Sequence, residues 1–154
     1  MISPVLVYLD TCTWCRPFDD QMQDRIREET LAFYVIMLQV DRKDIKIVGS
    51  DTLLAEIEDI SDEAKRERVR MLVKRGTSLS VKLDEDVKKI AVVIERRCGL
   101  HGGDALQAAS AKIGGARYFI TTDEGVLERA KCISKEIDII TINPKNFVEE
   151  ELWR

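Results

Sequence analysis

The chain is poor in several things that would each have pointed somewhere definite. It has one histidine, His101, in 154 residues, so Ser–His or Cys–His catalysis would rest on a single side chain in the glycine-rich loop Leu100-His-Gly-Gly103. His101 reads as a loop residue. Four cysteines at 12, 15, 98 and 132 are too few and too scattered for a disulfide scaffold, and buried structural thiols are the default expectation. No apolar run approaches a membrane span, and the opening Met-Ile-Ser-Pro lacks the basic and apolar regions of a signal peptide. We therefore expect a cytosolic protein with no membrane contact. Positive charge is not in excess: the formal net charge is −4, which disfavours strong nonspecific attraction to nucleic acid. A locally basic groove, or a site whose metal ions supply the positive charge, remains compatible with it. Internal repeats, low-complexity tracts and Gly/Ser linkers are also missing, so residues 1–154 read as one domain with a short tail from about 144.

What is present is an alternation of strands and helices. Val5-Leu-Val-Tyr-Leu9 reads as a strand buried on both faces, and it stops at Asp10. Pro17 marks a turn, and Asp19 or Asp20 can cap a helix over about 20–40, with Ile26, Thr30, Phe33 and Met37 on one face. Residues 44–49 form a second strand and Ser50 an N-cap for a helix carrying Leu53, Leu54 and Ile57. A densely charged helix over 61–75 leads to a third strand at 79–83. Asp84 caps an amphipathic helix that ends at Gly99. The loop 100–103 then delivers Asp104 to an alanine-rich helix over 105–111, suited to close packing on a sheet. Tyr118-Phe-Ile-Thr121 is the fourth strand, Asp123 starts a helix to about Lys131, and 137–142 is the fifth strand. This order implies βαβ units: an α/β protein with a mainly parallel sheet of about five strands, covered on both faces.

In such a sheet, chemistry collects outside the carboxyl ends of the strands. Asp10, Asp104 and Asp123 each sit at a strand end or helix start, and Glu56 lies in the first turns of the helix after the second strand. Each taken singly is an ordinary surface acid or helix cap among 28 acidic residues. Taken together, four carboxylates aimed into one crevice repel one another unless cations compensate them. Mg²⁺ and Mn²⁺ prefer oxygen ligands, and two such ions roughly 4 Å apart would activate water and stabilise the leaving oxygen in phosphodiester hydrolysis.

The segments Tyr8-Leu-Asp-Thr11, Ser50-Asp-Thr-Leu-Leu-Ala-Glu-Ile57, Gly103-Asp-Ala-Leu-Gln-Ala-Ala109 and Phe119-Ile-Thr-Thr-Asp123, in that order, resemble the PIN domains, metal-dependent ribonucleases that include the VapC-type toxins. The resemblance covers nearly the whole chain. It implies a three-layer α/β/α sandwich, with Asp10, Glu56, Asp104 and Asp123 as metal-site carboxylates and Thr11 and Thr121 supporting them. It further implies an endoribonuclease using Mg²⁺ or Mn²⁺ on an RNA substrate, a homodimer, and a toxin's protein antitoxin as partner. The position after Asp10-Thr11, commonly Asn in these toxins, is Cys12 here. Arg16 is a candidate phosphate contact and Asp19 or Asp20 a candidate extension of the acidic site; a salt-bridged turn with helix caps accounts for the same residues.

Two other readings compete. Cys12-Thr-Trp-Cys15 after the first strand has the placement of a thiol redox motif, but thioredoxin-like folds need a cis-proline facing the dithiol, and no proline lies between Pro17 and Pro144. A non-catalytic PIN-like domain that binds RNA or protein is the other; the intact set of four acids argues against it. Lys65, Arg66, Arg68, Arg70, Lys74 and Arg75 would be either an RNA-facing patch or a solvated helix face balanced by Glu63 and Glu67.

Overall fold

The computed structural model describes residues 3–153. At its centre is β1 (Val5–Leu9), flanked by β2 (Ile45–Ser50) on one side and β4 (Tyr118–Ile120) on the other. β3 (Thr77–Val81) and β5 (Ile140–Ile142) complete a five-stranded, all-parallel sheet in the order β3-β2-β1-β4-β5. The chain steps outward from β1 to β2 and β3, then returns to the far side of β1 for β4 and β5. That reversal opens a crevice at the carboxyl ends of β1 and β4, the place where α/β sheets hold their ligands.

Alternation along the strands divides the apolar side chains between two cores. Val7, Leu9, Ile47, Tyr118 and Ile120 face one way. They meet Trp14 of α1 (Thr11–Cys15), Phe33 and Ile36 of α2 (Asp24–Asp41), Leu53 and Ile57 of α3 (Asp51–Glu58), and Val69 and Val73 of α4 (Glu63–Gly76). Tyr8, Val48, Val81 and Phe119 face the other way. There they meet Val87 and Ile94 of α5 (Glu85–Cys98), the alanines of α6 (Gly102–Ile113) and Ile133 of α8 (Ala130–Ile137). The result is a three-layer α/β/α sandwich, as the alternation of elements implied. The small face of α6 lets that helix lie close on the sheet: a Cβ added to Gly114, just past its end, would collide with Val48 and Val81. Ser50, Asp84 and Asp123 cap their helices through their side chains, and Gly99 ends α5 in the left-handed conformation (φ 73°).

Several boundaries differ from the sequence expectation, each for a local reason. The second helix starts at Asp24 because Arg16–Phe18 forms a 3₁₀ turn, Asp19 is taken up in ion pairs and Asp20 accepts from the Met22 amide. The helix expected over 123–131 is two: α7 (Glu124–Leu127), then α8, with Arg129 as its non-helical N-cap. α8 runs to Ile137 and ends at Asp138 in the left-handed conformation, so the fifth strand begins only at Ile140. The expected tail is instead α9 (Pro144–Phe147) and a π-helical turn over Val148–Leu152, which bury Phe147 and Val148 in the core. Two of the four cysteines depart from the expectation of unpaired thiols. Cys98, ending α5, and Cys132 on α8 form a disulfide, because the packing of α5 on α8 brings together residues 34 apart in sequence. No helix among the described residues is long and apolar enough to cross a membrane.

Candidate active site

Asp10 follows β1 and caps α1. It is 3% exposed. Its Oδ1 accepts from the Thr13 backbone amide (3.0 Å) and the Thr13 hydroxyl (2.8 Å), and its Oδ2 accepts from the Thr121 hydroxyl. Burial raises the Asp10 carboxyl to about 6; the bonds from Thr121 and Thr13 oppose the rise, and the Asp104 carboxylate adds to it. Thr121 also accepts from the Asp123 amide at 3.1 Å, so one buried hydroxyl ties the strand ends of β1 and β4 together. Asp123 caps α7, accepting from the Val126 amide at 3.2 Å.

Glu56, on α3, reaches across the crevice to α6. Its Oε1 accepts from the Thr11 hydroxyl (3.0 Å) and its Oε2 from the Gln107 amide (2.9 Å). A Cβ on Gly103 would run into Glu56 Oε2 and stand 3.2 Å from its Cδ, so a side chain there would displace this carboxylate from its present position. Asp104 follows directly, in the first turn of α6. Burial first, then the Asp123 and Glu56 carboxylates, push its carboxyl above the usual range; only His101 pulls the other way.

The crevice is therefore acidic and uncompensated. Among the described residues none of these four carboxylates is ion-paired with Lys or Arg, and Asp104 accepts no hydrogen bond through its side chain. Other shielded acids nearby are neutralised: Glu29, 2% exposed, is held by Arg16, Arg25 and Asn143, and Asp19 by Arg16 and Lys65. An all-oxygen donor set with no internal counter-charge fits a hard divalent cation. As they stand, no three His, Cys, Asp or Glu side chains among the described residues are gathered into a ready ligand set. Asp10 and Glu56 are held through both oxygens, so closing on an ion would fall to the carboxylates less held, Asp104 above all.

The Thr11 hydroxyl donates to Glu56 and the Thr121 hydroxyl to Asp10. Arg16 does not join them. Its Nε is on Glu29 (2.8 Å) and its Nη1 on Asp19 (2.9 Å), which is the salt-bridged turn. The α4 cations are partly committed as well: Lys65 to Asp19, Arg66 to the Ile60 carbonyl, and Arg70 to Glu58 and Glu67. Cys12 and Cys15 are free thiols. Desolvation, together with the Asp10, Asp123 and Asp104 carboxylates, pushes Cys12 up to about 12; desolvation puts Cys15 at about 11. A redox dithiol needs the opposite shift. Thr13 and Gln107 were not singled out from sequence. Their signals were available: Thr13 is the third residue after a capping aspartate, and Gln107 is the one amide in an alanine-rich helix, a turn after Asp104.

No family model and no curated protein matches the chain. Among solved structures it is similar to a chain in the crystal structure of VapBC2 from Rickettsia felis bound to a DNA fragment from their promoter. The TM-score is 0.59 over 90% of this chain and 98% of that one, with 14% sequence identity. The likeness places the chain in the same three-layer α/β/α fold.

Proposed function

We propose that this protein is a metal-dependent endoribonuclease of the PIN type, hydrolysing RNA phosphodiester bonds with Mg²⁺ or Mn²⁺. One observation carries the proposal: four carboxylates from four separate elements line the crevice at the sheet's switch point, without a basic partner among them. Asp10, Glu56, Asp104 and Asp123 would hold the cation. When bound, such an ion polarises a phosphoryl oxygen and lowers the pKa of water at the site. The protein's own contribution is orientation. Thr13 and Thr121 hold both oxygens of Asp10, and Thr11 and Gln107 hold both oxygens of Glu56. Because Asp10 titrates at about 6, it is available as a charged ligand above that pH and protonated below it.

The sequence resemblance to VapC-type toxins, together with the fold shared with the VapBC2 chain, extends the proposal to a toxin with a protein antitoxin, acting as a homodimer. The surface supports a protein partner. α2 exposes Leu31, Tyr34 and Leu38, and Trp153 stands 66% exposed across a groove that Leu31 also lines. Light scattering after size exclusion that shows monomer alone would refute the dimer. The test of the main proposal is cleavage of single-stranded RNA in Mn²⁺ by wild type and Asp10→Asn. Cleavage abolished by the substitution, with the fold intact by circular dichroism, is expected; full activity in the variant would refute it.

A second reading, a PIN-like domain that binds RNA or protein without cleaving, draws on the engagement of both Glu56 oxygens and the absence of a gathered ligand set. Metal binding without cleavage of any RNA tested would favour it.

A further inference from the structure

Gln107 is 1% exposed in a helix whose other buried positions are alanine and serine. Burying an amide is costly unless its groups are all bonded, and here they are. Its Oε1 accepts from the Tyr8 hydroxyl at 3.1 Å, and its Nε2 donates to Glu56 Oε2 at 2.9 Å and to Thr11 Oγ1 at 3.0 Å. Behind it, the Tyr8 hydroxyl lies 2.7 Å from Ser50 Oγ. Tyr8 and Ser50 are both fully buried.

The direction of every bond in this chain follows from its two ends. Ser50 Oγ accepts the Leu53 amide as a helix cap (3.0 Å), which leaves its own proton for the Tyr8 oxygen. Tyr8 then gives its proton to Gln107 Oε1. With Oε1 tied, the amide cannot turn over, and its NH₂ group must face Glu56 and Thr11. Thr11, accepting from Gln107, passes its proton to Glu56 Oε1 at 3.0 Å. The relay Ser50–Tyr8–Gln107–Thr11 thus ends with one donor on each oxygen of a single carboxylate. On the other flank Gly103 leaves no spare room, since a Cβ there would strike Glu56 Oε2.

A buried amide wanted only for packing would be replaceable by leucine or methionine, and its bonds would have no reason to converge on a carboxylate at the crevice. We propose that Gln107, locked by Tyr8 and Ser50, is a positioning residue that holds the Glu56 carboxylate in place for a divalent cation. The proposal rests on the reading of Glu56 as a cation ligand. It goes beyond that reading by assigning the orientation of the ligand on α3 to a relay that runs from β2 through β1 and α6.

The test is a double-mutant cycle on Mn²⁺ affinity, measured by calorimetry or by electron paramagnetic resonance of free Mn²⁺. The proteins are wild type, Gln107→Leu, Glu56→Gln and the double variant, each checked by circular dichroism. Gln107→Leu is expected to weaken Mn²⁺ binding about tenfold or more, the usual consequence of removing a group that orients a metal ligand. In the Glu56→Gln background the same substitution is expected to change nothing further, because the carboxylate it orients is gone. Tyr8→Phe, which removes one hydroxyl and releases the amide to turn over, should give a smaller loss in the same direction. Wild-type affinity in Gln107→Leu, or an equal loss in both backgrounds, would overturn the assignment. Should Gln107→Leu fail to fold, the cycle is run with Tyr8→Phe, and an unchanged affinity there overturns it equally. No saturable Mn²⁺ binding by wild type would remove the cation-site reading itself, and the proposal with it, before any variant is compared.

Discussion

Asp10→Asn should stabilise the cation-free protein at neutral pH. The Asp10 carboxyl titrates near 3.8 when unperturbed and at about 6 in the folded protein, where burial disfavours its charge. The folded state therefore keeps a proton that the unfolded chain has already lost. From about pH 4 to pH 6 the unfolded state binds fewer protons, so stability falls as pH rises; above pH 6 the full penalty stands. At 1.36 kcal/mol per pH unit it amounts to about 3 kcal/mol. Asparagine is neutral throughout. It keeps an oxygen for Thr13 but puts an NH₂ group where Oδ2 accepted the Thr121 proton, at a cost of about 1 kcal/mol. The net expectation at pH 7.5 in chelator is a gain of about 2 kcal/mol, or about 4–8 °C in Tm for a chain of this length. At pH 4 the gain should vanish, and added Mn²⁺ should raise wild type and not the variant. Urea unfolding of both proteins at pH 4, 6 and 7.5 measures this. A variant less stable than wild type at pH 7.5, or a difference that does not change with pH, would refute the reasoning.

Thr121→Val removes the donor to Asp10 Oδ2 and the acceptor for the Asp123 amide, and should cost about 1–3 kcal/mol in urea unfolding; unchanged stability would show that the hydroxyl does not tie the two strand ends. Gly103→Ala drives a methyl group into Glu56 Oε2, so Mn²⁺ affinity should drop while circular dichroism stays the same; wild-type affinity would mean that Glu56 has room to move aside without loss. Glu29→Ala removes the buried acceptor shared by Arg16, Arg25 and Asn143 while Arg16 keeps Asp19, and should cost about 1–3 kcal/mol by chemical denaturation; unchanged stability would be incompatible with a buried, paired Glu29.

The sheet was legible because its strands are short apolar runs bounded by capping residues. Val5–Leu9 and Tyr118–Ile120 have no polar face to hide them, and Ser50, Asp84 and Asp123 announce helices that their side chains do cap. The meeting of Asp10 and Asp123 near one crevice follows from β1 and β4 being parallel neighbours; the strand–helix order implies parallel strands, but their order in the sheet is set by packing that the alternation does not encode. The regions that misled are those where side chains do two jobs. Asp19 looked like a helix cap but serves Arg16 and Lys65, and Arg16 looked available to a phosphate but is held between Glu29 and Asp19. Ile137 and Ile139 alternate with Asp138 as a strand would, yet α8 takes Ile137 and Asp138 ends it in the left-handed conformation. The Cys98–Cys132 disulfide depends on helix packing across 34 residues, a contact that spacing alone does not reveal. Gln107 went unassigned because its role depends on Tyr8, Ser50, Thr11 and Glu56, four residues on four other elements.

The most direct test of the acidic crevice as a cation site is a calorimetric Mn²⁺ titration of wild type and Asp104→Asn. Asp104 is the informative position because its carboxylate has no hydrogen-bond donor or ion-pair partner among the described residues, so its loss leaves nothing in the protein unpaired. Saturable binding by wild type, with proton release near pH 6 as Asp10 gives up its proton to the incoming charge, and loss of that binding in the variant are expected. Undiminished binding by Asp104→Asn, or none by wild type, would contradict the assignment.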